Sequence, residues 1–449
     1  MRRTAGAALK VCCINLATQV LAIAGRERGG GACFAAAACK RVGAPWVPVQ
    51  GMFRQNAAAS GRRLLSTVPV SEIVMAAQAP AVAVPASRRL CVAPMMDWTD
   101  RFDRAFLRKF SKNTWLYTEM VTTGAIIHGN QDRHLQFFKD EHPIALQLGG
   151  SDPNDLAKCA AIAETYGYDE INLNVGCPSE RVSSGSFGAC LMAEPELVRD
   201  CVAAMKAVVK VPVTVKHRIG IDDMQSYEQL CNFVSTVHEG GCNTFIVHAR
   251  IAVLKGLSPK ENRQVPPLKY DFVYNLKRDF PHLEIIINGG ITDLEQAKGH
   301  LEGGKVDGVM IGRSAYHEPF RILGNADREI YGDANGYSKT RQQVVDEMLP
   351  FIEEQLAAGV SLNSITRHML GLFHGCQGGR QFRRHLADYV HKNDSGLHTF
   401  LDAVDKVPEE IRRGTAASDN PKTPYGDRAL DRDSDSETVT LSPVHVEVG

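Results

Sequence analysis

Glu284-Ile285-Ile286-Ile287-Asn288-Gly289-Gly290 is a short β-branched run that ends on a polar side chain and two glycines, and a helical pattern at 294–302 follows it. Such a unit reads as a buried strand, a tight turn and a helix. The next run, 308–311, ends in the same manner on Gly312-Arg313. Working back toward the N-terminus, runs of this kind recur at 90–95, 115–121, 144–149, 170–175, 212–217 and 244–248. Amphipathic stretches at 155–166, 195–209, 226–239 and 268–279 separate them, and Ser151-Asp152-Pro153 and Thr292-Asp293 supply the side-chain oxygens that start helices. Eight strand and helix units in roughly 230 residues have the size of a (β/α)8 barrel. The predicted fold class is therefore α/β, a TIM barrel. A doubly wound open sheet is the alternative, and the lack of a G-x-G-x-x-G motif after the first run counts against it.

The chemistry sits where a barrel would gather it. Reading each run at its C-terminal end gives Pro94-Met95-Met96-Asp97, Glu119-Met120, Gln147, Asn174 with Cys177, Lys216-His217-Arg218, His248-Ala249-Arg250, Asn288-Gly289-Gly290 and Gly312-Arg313. Barrel enzymes build their sites from these ends. In the last two, glycines let backbone N–H groups approach an anion and Arg313 adds charge, which points to a phosphorylated ligand, FMN among them. Two ordinary tight turns are the plain alternative. Lys216 and His248 have apolar residues behind them, so their heads should enter the mouth. A lysine there could stabilise a negative reduced flavin, form a Schiff base or make an ion pair, and a histidine could equally be a satisfied core residue. In Asn174-Val175-Gly176-Cys177-Pro178 the glycine and proline hold a thiol in a turn just beyond a buried strand; Cys190 reads as a bystander.

The 449 residues carry 51 Lys+Arg and 51 Asp+Glu, which excludes a uniformly basic nucleic-acid coat, and 44% hydrophobic residues supply a core. The balance is uneven. Twelve Lys/Arg precede Leu90 against Glu27 and Glu72 alone, a local charge of +10, so the rest carries −10. Residues 1–88, rich in Ala, Gly and Arg, read as an organelle-targeting leader, mitochondrial ahead of plastid; without a targeting role the expected place is the cytoplasm. Its apolar run at 11–24 is too short to span a membrane. Residues 414–449 read as a disordered acidic tail. No C-x-x-C pair occurs among the eight cysteines from Cys91 to Cys376, so neither a zinc ribbon nor a redox dithiol is expected, and no metal.

At this point the motifs can be taken together. VAPMMDWTD at 92–100, YTEM at 117–120, QLGG at 147–150, NLNVGCPS at 172–179, TVKHR at 214–218, HAR at 248–250 and INGG at 287–290 stand in an order that closely resembles the tRNA-dihydrouridine synthases. The stretches 121–129, GLSPKENR at 256–263 and RHMLGL at 367–372 are similar to the bacterial A-type subfamily in particular. The resemblance covers about residues 89–392. It implies an FMN-binding catalytic barrel at 89–325, a small all-helical tRNA-binding domain at 340–398, NADPH as reductant, tRNA as partner, and a monomer without stable membrane association. The reaction implied is reduction of the C5=C6 bond of uridine at positions 20 and 20a of the tRNA D-loop. By position, Pro94, Met95, Met96, Gln147, Lys216, His248, Asn288, Gly289, Gly290, Gly312 and Arg313 would hold FMN. Cys177 would protonate C5 while flavin N5 delivers hydride to C6, Asn174 would orient the uracil, and Arg250 and Arg263 would be further substrate contacts.

Such a thiol must keep its proton at working pH, and the uracil must leave the RNA stack to reach it. Between 363 and 394, Arg367, Arg380, Arg383, Arg384 and Lys392 outnumber Asp388 and Asp394, a patch suited to phosphate contacts, with a solvated helix face as the plain alternative. Ile251, Val253, His217 and the stretch Gly375-Cys376-Gln377-Gly378-Gly379-Arg380 depart from the subfamily pattern and are expected near the RNA surface, where they bear on the target uridine more than on the reaction. Two rivals remain: a flavin barrel reducing a free small molecule, and a non-enzymatic RNA-binding protein.

Overall fold

A computed structural model describes residues 87–179, 185–333 and 338–415. The leader expected at 1–88 lies outside these except for its last two residues, and the acidic tail at 414–449 except for its first two. Eight strands, β1 (Leu90–Val92), β2 (Leu116–Thr122), β3 (Ile144–Gly149), β4 (Glu170–Val175), β5 (Val213–Arg218), β6 (Thr244–His248), β7 (Glu284–Asn288) and β8 (Gly308–Ile311), pair in parallel in the order β1-β8-β7-β6-β5-β4-β3-β2. The ring closes between the two ends of that order. Val92 N–H donates to the Trp115 carbonyl at 2.8 Å, and Trp115 N–H to the Leu90 carbonyl at 3.0 Å. The fold is thus the α/β TIM barrel read from the sequence. β3, β4, β6, β7 and β8 have the bounds that the patterning predicts. β1 is shorter: Ala93 N–H still reaches the Ile311 carbonyl at 2.8 Å, but Pro94 has no N–H with which to continue the ladder.

Each strand leads into a helix: α1 (Arg101–Arg108), α2 (Thr123–His128), α3 (Pro153–Tyr166), α4 (Pro195–Lys206), α5 (Tyr227–Glu239), α6 (Tyr270–Asp279), α7 (Leu294–Leu301) and α8 (Arg313–His317). Asp152 and Asp293 cap α3 and α7 by accepting the Asp155 and Gln296 N–H groups at 2.9 and 2.8 Å, as their positions before the helices predict. Alternation along the strands builds two apolar layers. Leu146, Leu173, Val215, Val247, Ile287 and Val309 point outward against the helices. Cys91, Trp115, Tyr117, Ala145, Ile246, Ile286 and Met310 fill the inside.

Below that inner layer lies a buried carboxylate. Glu170 accepts from Arg88 Nε at 2.5 Å, Tyr117 OH at 2.9 Å and Thr214 Oγ1 at 2.5 Å, and Arg88 also reaches Glu284 at 2.9 Å. Three donors satisfy a charge that would otherwise cost several kcal/mol to bury. Arg88, grouped with the leader on composition, is therefore part of the barrel floor.

The helical segment that follows contains α9 (Arg341–Ala357), α10 (Leu362–Thr366), α11 (Gly379–Tyr389) and α12 (Leu397–Val404), and helical structure continues past 398 to a last turn at Glu409–Arg412. α9 buries Val344, Val345, Met348 and Ile352, and its Phe351 meets Phe102 of α1 edge-on at 6.5 Å. Phe382 of α11 packs between Phe373 and Phe400 at 4.9 and 6.3 Å. α11 starts on Gly378 at φ +83°, where a Cβ would come within 2.4 Å of the Lys406 carbonyl. Among the described residues no helix is long and apolar enough to cross a membrane, and no group of three or more His, Cys, Asp or Glu could hold a metal ion.

Candidate active site

A cavity of about 900 Å³ opens at the C-terminal ends of the strands. Every residue that the sequence assigns to a cofactor lines it: Pro94, Met95 and Met96 after β1, Gln147 on β3, Lys216 on β5, His248 on β6, Asn288, Gly289 and Gly290 at the end of β7, and Gly312 and Arg313 after β8. Asn174 and Cys177 from β4 and Arg263 from the loop after β6 share the same wall.

The thiol is positioned by a ladder of amides that rises from the floor. Thr214 Oγ1, which donates to Glu170, accepts from Asn172 Nδ2 at 2.8 Å; Asn172 Oδ1 accepts from Gln147 Nε2 at 2.8 Å; and Gln147 Oε1 accepts from Asn174 Nδ2 at 2.8 Å. Asn174 Oδ1 then takes the N–H groups of Gly176 and Cys177 at 3.1 and 3.0 Å. This Asx turn ends the strand and turns Cys177 into the cavity, where its Sγ has Ser179 Oγ at 3.5 Å. Cys190 lies outside the cavity lining: its Sγ donates to the Phe187 carbonyl at 3.1 Å, and burial pushes its thiol up.

The facing wall is cationic. Lys216 Nζ donates to Asn288 Oδ1 at 3.3 Å, and no carboxylate lies within ion-pair distance of it among the described residues. Lys216 is half-buried and lines the cavity. Burial first, and then the charge of Arg218, lower its pKa to about 8. Arg218 is fastened by three carbonyls, those of Gly176 at 3.2 Å, Ile251 at 3.1 Å and Asn262 at 3.0 Å, and burial brings it down to about 10. His248 is held neutral by burial and by the charges of Arg218 and Lys216. Its buried Nδ1 has no partner among the described residues. Cations gathered with neutral acceptors and no carboxylate make an anion site.

The β7 exit completes it. Gly289 and Gly290 lie at φ +114° and +72°, conformations that L side chains avoid. A Cβ at Gly290 would strike Leu268 at 2.6 Å and the Tyr270 hydroxyl at 3.0 Å. Tyr270 OH donates to the Gly289 carbonyl at 2.7 Å, fixing the turn. Across the mouth, a Cβ at Gly312 would meet Ala93 and Met95 at 3.6 and 3.7 Å, ordinary van der Waals contact.

Other expected site residues lie elsewhere. Arg250 is buried, and its Nε donates to the Arg263 carbonyl at 3.0 Å, so it braces the loop that presents Arg263. Arg367 meets Asp100 at 2.6 Å at the contact between α1 and the helical segment. Arg380, Arg383 and Arg384 share one face of α11 by their spacing, outside the cavity lining, and Arg384 has Asp388 at 3.5 Å. His217, expected near the RNA surface, is fully buried instead. Strand parity turns Lys216 and Arg218 inward and His217 outward, where its ring packs on Phe233 and Phe245 at 5.0 and 5.8 Å and burial lowers its pKa to about 4. The sequence reading missed Arg218, which that same parity would have placed inward. It also missed Trp98, Met120 and Tyr270. The first two stand inside quoted motifs; nothing local marks Tyr270, which reaches Gly289 from a helix.

A closed parallel barrel with a thiol, an anion-accepting wall and glycine turns at its C-terminal mouth defines a (β/α)8-barrel enzyme. The comparisons with known proteins narrow this: the family model described as dihydrouridine synthase (Dus) matches residues 91–411. The chain belongs to the dihydrouridine synthase family, whose members are oxidoreductases. It is 61% identical over 326 residues to the tRNA-dihydrouridine(20/20a) synthase of Vibrio parahaemolyticus, covering 72% of this chain and 98% of that protein. It is 58% identical over 325 residues to the protein of the same name from Escherichia coli, covering 72% and 93%. Among solved structures, a 2-naphthoyl-CoA reductase complex with 2-naphthoyl-CoA aligns at 10% identity and TM-score 0.42 over 54% of this chain and 50% of that one, too slight a likeness to carry an argument.

Proposed function

We propose that this protein is an FMN-dependent, NADPH-driven synthase of 5,6-dihydrouridine in tRNA, acting at positions 20 and 20a of the D-loop. The observation that carries the reading is the common wall: a thiol and eleven residues suited to a flavin mononucleotide meet in one cavity. The residues fit that group. Lys216, which has an amide acceptor in Asn288 but no carboxylate among the described residues, and the unpartnered His248 Nδ1 suit an anionic ligand, and the Gly289-Gly290 turn, Gly312 and Arg313 suit its phosphate. The names of the Vibrio and Escherichia relatives support the substrate and the position.

When bound, FMN supplies a hydride, drawn from NADPH, to C6 of the uracil. Cys177 holds a proton on Sγ for C5 and regains one from solvent, so that uridine, NADPH and one proton give dihydrouridine and NADP+. The Asx turn at Asn174 keeps that sulfur at the cavity, and the second N–H of Asn174 Nδ2, beyond the one given to Gln147, suits a uracil carbonyl. Arg263 at the rim suits the RNA, with Arg250 bracing its loop. Lys216 and Arg313 balance the negative charge of the cofactor. The arginines of α11 suit tRNA phosphates, whose signature is salt-sensitive binding.

The test is anaerobic: enzyme reduced with NADPH is mixed with tRNA or with free uridine, and reoxidation is followed by flavin absorbance. Reoxidation by tRNA alone is expected; equal reoxidation by uridine would return the protein to the small-molecule rival. The charge of +10 that precedes Leu90 supports organellar delivery, mitochondrial ahead of plastid. Mapping dihydrouridine in organellar and cytosolic tRNA of cells lacking the protein decides between these destinations and the cytoplasm.

A further inference from the structure

The cationic side of the cavity has a role in this reading, and its aromatic side has none. Trp98, on the loop between β1 and α1, lines the cavity and stacks on Tyr316 of α8 at 4.5 Å between centroids and 14° between planes. The ring of His317 meets it edge-on at 5.0 Å. Tyr316 is in turn braced from the helical segment. Burial keeps His368 neutral, so its Nε2–H donates to Asp100 Oδ2 at 3.0 Å while its Nδ1 accepts from the Tyr316 hydroxyl at 3.2 Å. Arg367 binds the same Asp100 oxygen at 2.6 Å, and Asp100 caps α1 through the N–H groups of Phe102 and Asp103. The indole is therefore fixed by the loop, by α8 and by the helical segment behind it. The ring is half-buried and contributes to the cavity wall.

We propose that Trp98 is a stacking platform for a nucleobase of the RNA substrate, next to the reacting uridine, and thus a specificity-determining residue. The proposal rests on the tRNA reading above. A rigid aromatic surface beside a cationic mouth is the pairing that single-stranded nucleic-acid sites employ, charge for the backbone and a π face for the base. Location favours a base over the cofactor. Although α8 begins at the β8 exit, Trp98 stacks on its far end and is joined through Tyr316 and His368 to the helical segment, the side along which an RNA held by barrel and segment would pass. Met96, 55% exposed, extends the apolar rim beside it.

The test compares Trp98→Ala and Trp98→Phe with wild type, each as the full chain loaded with FMN, in kcat/KM for a tRNA transcript and in the dissociation constant for FMN. Loss of the platform lowers kcat/KM by about ten- to a hundredfold in Trp98→Ala, with FMN affinity within about twofold of wild type, and Trp98→Phe, which keeps a π face, recovers to within about fivefold. A Trp98→Ala enzyme with unchanged kcat/KM overturns the proposal, as does a loss that follows weakened FMN binding, which would give the indole to the cofactor. Wild type that reduces no tRNA overturns the underlying reading as well, and is seen before any variant is measured.

Discussion

Lys216 lets the cofactor site be weighed without turnover. Its pKa falls from 10.5 to about 8 because burial and Arg218 disfavour the charge, a penalty of about 3 kcal/mol that the partial exposure of this half-buried side chain reduces to about 1–2 kcal/mol. In the flavin-free protein the unfolded chain keeps this proton up to 10.5 and the folded chain only up to about 8. Apoprotein stability attributable to this group therefore rises with pH between those values. An anion beside the ammonium restores the proton, so above pH 8 binding must draw one from solvent, and the dissociation constant for FMN rises about tenfold from pH 7 to pH 9. The neighbouring groups do not titrate in that window: His217 lies at about 4, His248 well below its ordinary value and Arg218 at about 10. Titrating apoprotein with FMN by fluorescence at pH 7, 8 and 9 reads the slope directly. Lys216→Met is expected to bind FMN more weakly, with no slope, and to leave the apoprotein about 1–2 kcal/mol more stable at pH 7. Cys177→Ala is expected to keep the slope. Wild-type constants that agree within twofold at pH 7 and pH 9, or a slope that survives in Lys216→Met, would refute the assignment of this charge to the anion site.

Cys177→Ala should retain bound flavin and lose about 10²- to 10³-fold in the rate of reoxidation by tRNA; full activity there would remove the thiol from the mechanism. Reversing Arg383 and Arg384 to Glu should weaken tRNA binding and lower its salt dependence by about two phosphate contacts, with the flavin spectrum unchanged; unaltered affinity moves the tRNA surface away from α11. Tyr270→Phe removes the 2.7 Å bond to the Gly289 carbonyl, about 1 kcal/mol, and should raise the FMN dissociation constant about fivefold, so a constant equal to wild type would leave the turn self-supporting.

Much of this site is legible in the sequence because a parallel strand is apolar until it ends, so a polar residue that closes a β-branched run marks the mouth. Asn288, Lys216 and His248 are found that way, and β7, with its glycine turn, is read to the residue. Commitments between side chains distant in the chain are not legible. Asn174 looks like a free amide, yet its oxygen is taken by the Gly176 and Cys177 N–H groups. Arg250 and Arg367 look like free cations, yet one braces the Arg263 carbonyl and the other meets Asp100, 267 residues away in sequence. Single-residue parity is the subtler loss: Lys216, His217 and Arg218 form one polar cluster on paper, and the pleat sends the middle one into the helix layer.

The outcome of these commitments is a separation of charge along the barrel axis. At the floor, Arg88 pairs with both Glu170 and Glu284, so the carboxylates there share a counter-ion within the barrel. At the mouth, Lys216 has no carboxylate partner among the described residues to offset the burial and the Arg218 charge that lower its pKa. The Thr214, Asn172, Gln147 and Asn174 ladder joins the two ends through neutral groups alone. The cationic mouth is thus kept apart from the floor's carboxylates, and the charge that would balance it has to arrive with a ligand. For that reason the affinity of the ligand, more than the stability of the fold, should register each cation removed from this wall.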